Sequence, residues 1–230
     1  MNVITVASRK GGAGKTTLCA HLAALAQSQG HKCQVIDGDP QGSLALCNRL
    51  RADAALPFAT AERGIDRALA MAQVAGAEWV FIDTSPTMWV VVQEAIRAAT
   101  LVLIPARPGF LDLDAVRETV KTARERNKPY AVVLNACPVK RGAREAPAVA
   151  QSRAYLEREG VPVFAGQISH RASFSLTLAA GASAGEAEPA SLAAAEIEKL
   201  WRAVEKSVAA INAHYADAAA TASLTQGQAA

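Results

Sequence analysis

Short runs of apolar, often β-branched residues alternate with longer segments in which apolar positions recur at helical spacing, and the alternation persists to about residue 168. The short runs Val3 to Ala7, Gln34 to Asp37, Trp79 to Asp83, Leu101 to Pro105, Ala131 to Asn135 and Val163 to Ile168 read as strands. The segments Thr16 to Gln29, Trp89 to Ala98, Leu113 to Arg126 and Ala146 to Glu159 read as helices between them. Such alternation predicts an α/β fold, a mostly parallel twisted sheet flanked by helices with right-handed crossovers. In such sheets ligands bind at the carboxyl ends of the strands.

Beyond the Gly- and Ala-rich stretch from Gly181 to Glu188, Leu192, Ile197, Leu200, Trp201, Val204, Val208 and Ile211 recur at helical spacing and predict one amphipathic helix packed on the domain. The end of the chain is Ala, Ser, Thr and Gln with almost no large apolar residue. We therefore expect a single domain over residues 1–215 and a disordered tail over 216–230. A length of 230 residues suits one α/β domain with a proper core, and no internal repeat is visible.

Composition narrows the class. With 51% hydrophobic and 20% charged residues the chain is globular rather than disordered. No stretch approaches the roughly 18 consecutive apolar residues of a membrane span, and Met1 runs directly into Val3-Ile4-Thr5-Val6 without a charged leader, so a cytoplasmic protein with no membrane partner is expected. The four cysteines form no CxxC pair and no metal-ligand spacing with the histidines, which predicts reduced structural thiols. The net charge of +3 is uneven: Arg107 to Arg171 holds 12 basic and 7 acidic residues, Ala172 onward 3 and 6. A basic middle of this kind suits a polyanion.

Directly after the first predicted strand stands Arg9-Lys10-Gly11-Gly12-Ala13-Gly14-Lys15-Thr16-Thr17, followed at once by a helical segment. Glycines there let successive backbone N–H groups curl around phosphate oxygens at the positive end of the helix. By the usual division of labour in phosphate-binding loops, Lys15 reaches the β- and γ-phosphates, the Thr16 hydroxyl ligates Mg²⁺ and Thr17 bonds the α-phosphate. Gly11, Gly12, Ala13 and Gly14 form the cradle. Phosphoryl transfer also needs carboxylates at neighbouring strand ends. Val35-Ile36-Asp37-Gly38-Asp39-Pro40-Gln41-Gly42 supplies two and Val80-Phe81-Ile82-Asp83 one. Asp83 is the natural Walker B residue for Mg²⁺.

The general pattern G-x-x-x-x-G-K-[ST] is not met, because Arg9 stands where its first glycine belongs. The form K-G-G-x-G-K-T-T instead resembles the deviant Walker A motif of the ParA/MinD family of ATPases, and D-x-D-P-Q-G-S resembles the Walker A′ motif of its ParA branch. Leu103-Ile104-Pro105 followed by Leu111-Asp112, and Ile168-Ser169-His170-Arg171 with a downstream Gly181, extend the resemblance from residue 1 to about 181. It implies an ATP- and Mg²⁺-dependent homodimer in which Lys10 reaches the partner's phosphates, Asp39 orients the attacking water, Asp37 supports Mg²⁺ or the loop, and Asn135 contacts adenine. It further implies non-specific DNA binding, with Lys140, Arg141, Arg144 and Arg171 as contacts, on the nucleoid in the cytoplasm. A ParB-like or cargo adaptor would stimulate weak ATP hydrolysis, and the outcome would be segregation or positioning of a plasmid, chromosome or other large cargo. A chain that starts at its first strand is expected to lack the helix-turn-helix region of some plasmid ParA proteins. The alternatives are a MinD-like membrane positioner, which the acidic C-terminal region disfavours, and a metabolic ATP-dependent enzyme of the same superfamily, of which the iron–sulfur version lacks cysteine ligands.

Overall fold

A computed structural model describes residues 1–140, 142 and 144–227. Among them the chain runs β1 (Asn2–Val6), α1 (Lys15–Ser28), β2 (Cys33–Gly38), α2 (Ser43–Leu50), a 3₁₀ turn (Ala52–Ala54), β3 (Phe58–Thr60), α3 (Ile65–Val74), β4 (Trp79–Thr84) and α4 (Trp89–Ala98). It continues with β5 (Leu101–Ala106), α5 (Phe110–Glu125), β6 (Tyr130–Leu134), α6 (Pro147–Arg158), α7 (Ala172–Ala179), α8 (Ala184–Ala187) and α9 (Leu192–Gly227). The strands pair in the order β3-β2-β4-β1-β5-β6, all parallel. The predicted α/β class holds.

Both sheet faces are buried, which is why the strands read as continuous apolar runs. The period of two sorts them: Ile4, Val6, Trp79, Phe81, Leu101 and Leu103 pack with α1, α7 and α9, whereas Val102, Ile104, Val132 and Leu134 meet α4, α5 and α6. Val80, Ile82 and Ile36 pack on α3 and α4. Because Asp83 follows Trp79 and Phe81 at even spacing, it faces the α1 layer. Asp37, two residues after Val35, does the same and lies beside Asp83 in register.

The stripe predicted for the C-terminal helix is the one that packs. Trp201 is fully buried, meets Trp79 edge-on at 4.7 Å between centroids and donates its indole N–H to Gln29 Oε1 at 2.8 Å. Leu192 at the helix start stays exposed.

Three sequence expectations need correction. Residues 163–168 form no strand of the sheet. They run beside β6 through isolated bridges at Val163 and Ser169, and Arg153 takes the Phe164 and Gly166 carbonyls at 2.7 and 3.0 Å that a further ladder would use. β6 is therefore one edge of the sheet, and the other is β3, whose three residues, exposed at Phe58 and Thr60, carry too short a pattern to read. Residues 216–227, part of the tail expected to be disordered, continue α9 to Gly227, in line with the high helix propensity of their alanines; residues 228–230 lie outside the described residues.

His21 of α1 is wholly buried between α7 and α8, where Nδ1 accepts the Ala184 N–H at 3.2 Å and Nε2 bonds the Phe174 carbonyl at 3.1 Å. These partners require the neutral tautomer with the proton on Nε2. Burial pushes the imidazole down to about 4, against the opposing Phe174 carbonyl. A folded value below the ordinary 6.5 means that the unfolded chain binds the extra proton. Stability is therefore full above the unfolded value and falls as pH drops from there towards the folded value. We expect His21 to cost on the order of 3 kcal/mol across that window. Urea unfolding over the window should give a shallower pH slope for His21→Gln than for the native chain; equal slopes would contradict this assignment.

Candidate functional site

The phosphate loop spans the gap between the end of β1 and the start of α1. Its turn needs left-handed backbone at Gly12 (φ 69°) and Gly14 (φ 92°), conformations that a side chain disfavours. Gly14 caps α1 with no side-chain bond, so the first N–H groups of the helix are left for a ligand.

Behind the loop lie the predicted acids. Asp83 is fully buried; Oδ2 accepts the Thr16 hydroxyl at 2.5 Å, whereas Oδ1 has no partner among the described residues. Burial raises its pKa to about 7 against the Thr16 bond, and the neighbouring Asp37 pushes the same way. A buried carboxylate with an orphaned oxygen beside a threonine hydroxyl is a donor set suited to Mg²⁺, a hard cation that takes oxygen ligands and keeps its waters. The pair Thr16 and Asp83 thus fits the metal expected from sequence.

Asp37 is committed elsewhere: Oδ1 accepts the Asp39 N–H and Oδ2 the Ala45 N–H, both at 3.0 Å. It therefore fastens the D-x-D turn to the start of α2. Asp39 is half-exposed at the mouth of the site and accepts the Gln41 N–H at 3.1 Å. Lys15 is buried, its pKa lowered by desolvation with Asp83 and Asp39 opposing, and its ammonium donates to the Lys10 carbonyl at 3.3 Å. Lys10 is half-exposed at the rim. Gly11, Gly12, Gly14, Lys15, Thr16 and Thr17 line a cleft of about 400 Å³ together with Asp39, Gln41, Ser43 and Pro86. Eight loop and carboxylate positions named from sequence thus converge on one place: Gly11, Gly12, Gly14, Lys15, Thr16, Thr17, Asp39 and, at its floor, Asp83.

Other expectations land differently. The Asn135 amide donates to the Ala13 carbonyl at 2.7 Å, so in this structure it bonds the loop. Among the nominated DNA contacts, Lys140 pairs with Glu145 at 3.7 Å and Arg171 with Glu196 at 2.9 Å. Arg144 stands exposed, and Arg141 lies outside the described residues. Sequence reasoning missed Arg107, whose guanidinium donates to the Gly11 carbonyl at 3.2 Å and pairs with Asp112 at 3.4 Å. No motif marks it; its place one residue beyond β5, at the ligand end of the sheet, was the available signal. Arg9, in the position of the missing first glycine, sits 4.9 Å over the Trp89 ring and 3.6 Å from Glu118.

Comparison with known proteins agrees with this geometry. Residues 4–183 match the CobQ/CobB/MinD/ParA nucleotide binding domain. The chain is 35% identical over 123 residues to the maintenance of carboxysome distribution protein A of Gloeobacter kilaueensis, a match covering 53% of this chain and only 56% of that relative. It is 30% identical over 193 residues to the protein of the same name from Halothiobacillus neapolitanus, covering 78% of this chain and 85% of the relative. Among solved structures it resembles Cyanothece McdA in its free form, with TM-score 0.71 and 18% identity over 90% of this chain and 99% of the other. A variant of McdA in complex with ATP aligns with TM-score 0.67 and 18% identity over 91% and 96%. At that identity the structures speak for the fold.

The buried Asp83 charge is a cost that the free protein bears. Asp83→Asn should therefore raise the melting temperature of the ligand-free protein by a few degrees, corresponding to about 1 kcal/mol. An unchanged or lower temperature in a thermal scan would argue that the carboxylate is better solvated than its burial indicates.

Proposed function

The chain belongs to the CobQ/CobB/MinD/ParA nucleotide-binding family, and on that premise we propose that it is an ATP-driven positioning switch that dimerises with ATP, binds DNA without sequence preference and is reset by hydrolysis. The observation that carries the reading is the buried Asp83 carboxylate, with one oxygen on Thr16 and the other without a partner among the described residues, at the floor of a glycine loop opening on α1. Few arrangements other than a metal-bound polyphosphate repay the burial of that charge.

In this reading the loop amides from Gly11 to Thr17 and the α1 N-terminus bind the phosphates of ATP, and Lys15 neutralises the β- and γ-oxygens. Mg²⁺, held by Thr16 and Asp83 with Asp37 behind them, would offset charge on the phosphate oxygens. Asp39 orients a water whose oxygen bonds to the γ-phosphorus as the bond to the ADP oxygen breaks. Lys10 acts on the site of a second copy, adding positive charge where the transferring group becomes more negative. The ATP complex of McdA supports ATP as the nucleotide. The names of both relatives, which refer to carboxysome distribution, support a large intracellular assembly as cargo; an adaptor protein as the stimulating partner rests on the family resemblance alone.

DNA binding rests on the family resemblance and on the exposed Arg144, since Lys140 and Arg171 are engaged in ion pairs. The membrane alternative loses weight because the apolar stripe of α9 is spent on the core. Among the described residues no helix is long and apolar enough to cross a membrane.

Asp39→Ala should keep ATP-dependent dimerisation while lowering turnover roughly a hundredfold or more, and Lys10→Ala should lose the dimer; light scattering and phosphate release read the two. Native turnover in Asp39→Ala would remove that residue from the reaction. Binding to random-sequence duplex should require ATP and weaken steeply between low and moderate salt, about 0.9 decades per decade of salt for each phosphate neutralised. A dimer that ignores DNA would leave the switch and remove DNA as its track.

A further inference from the structure

An anion cradle works only when its N–H groups point inward. In a planar trans peptide the carbonyl of one residue and the N–H of the next point in opposite directions. A carbonyl held outside the loop therefore turns the following N–H towards the cleft. Two carbonyls of the phosphate loop are held in this way: Gly11 by Arg107 at 3.2 Å and Ala13 by Asn135 at 2.7 Å.

Both holders come from neighbouring strands and are themselves fixed. Arg107 follows β5 and its Nε faces Asp112 at 3.4 Å, while Asn135 follows β6 and its own N–H bonds the Ala106 carbonyl at 2.8 Å. Each also packs against the glycine whose N–H it would orient. A Cβ on Gly12 would lie 2.9 Å from the Arg107 guanidinium, and one on Gly14 would overlap the Asn135 amide. The positive φ of both glycines disfavours a side chain there, and a Cβ would in addition displace the Arg107 guanidinium or the Asn135 amide from its present place.

We propose that Arg107 and Asn135 are positioning residues of the phosphate loop: by holding the Gly11 and Ala13 carbonyls from outside, they aim the N–H groups of Gly12 and Gly14 at the phosphates. Asn135 then serves the phosphates rather than the base. The inference rests on the nucleotide reading of the cleft and adds two residues to it.

Inorganic tripolyphosphate carries the phosphates without the base, so it separates the two roles. The affinities of ATP and of tripolyphosphate, each with Mg²⁺, are measured by competition against a fluorescent ATP analogue in the full chain and in Arg107→Ala, Asn135→Ala and the milder Asn135→Ser. Both ligands should weaken together, roughly tenfold per variant, with the ligand-free melting temperature of Arg107→Ala close to that of the native chain. ATP alone weakening in the Asn135 variants would make Asn135 a base contact and overturn its assignment; unchanged affinities in the Arg107 variant would overturn that of Arg107. Arg107 is nearly half-exposed, so its variant keeps the test alive if the buried Asn135 does not tolerate change. Native protein that binds neither ligand would fail the nucleotide reading as well, an outcome distinct from a native protein that binds while its variants are unaffected.

Discussion

The burial of one carboxylate organises this molecule. Asp83 sits at zero exposure at the end of a central strand; among the described residues one carboxylate oxygen accepts the Thr16 hydroxyl and the other has no hydrogen-bond partner. Holding a charge there is unfavourable for the free fold, so everything near it has to be rigid enough to keep it in place. The sheet does this through β4, paired in register with β1 on one side and β2 on the other. The strand period turns Asp83 and Asp37 to the face where α1 begins, and the loop between β1 and α1 then closes over the acids.

The D-x-D turn is anchored from both ends. Asp37 binds the turn and the start of α2, and at the far end of α2 the Arg51 guanidinium forms two bonds to Glu186 at 2.7 and 2.8 Å. Burial would raise the Glu186 carboxyl, yet Arg51 and the Ser183 N–H bring it down to about 2. Between them, α2 joins the mouth of the cleft to α7 and α8, which His21 fastens to α1 from beneath. Asp39 thus projects into the site from a segment fixed at both ends while remaining half-exposed itself.

Much of this was legible in the sequence because it rests on local rules. A glycine loop between a β-branched run and a helical one, and apolar strands ending in Asp, specify the cradle and the acids without knowledge of the remaining fold. The paired strands Val3, Gln34, Trp79, Leu101 and Ala131 onward were read for the same reason. What stayed hidden depends on tertiary partners. Whether Val163 to Ile168 joins the sheet is decided by Arg153 taking its carbonyls, and the short β3 exists only because β2 offers an edge. Arg107 belongs to no motif and acquires its place from the meeting of β5 with the loop. Asn135 was found by pattern, but the partner of its amide is a matter of geometry. The charge count in the middle of the chain also misled in part, since Lys140, Arg153 and Arg171 face acids that the linear tally cannot pair with them.

The central claim is that the Asp83 floor and the glycine loop together form a metal-dependent nucleotide site. Isothermal titration of the full chain with ATP, once with Mg²⁺ and once with a chelator, addresses it most directly. The account predicts saturable binding of one ATP per chain that is at least about tenfold tighter with the metal. Equal affinity with and without Mg²⁺, or no binding at all, would contradict it.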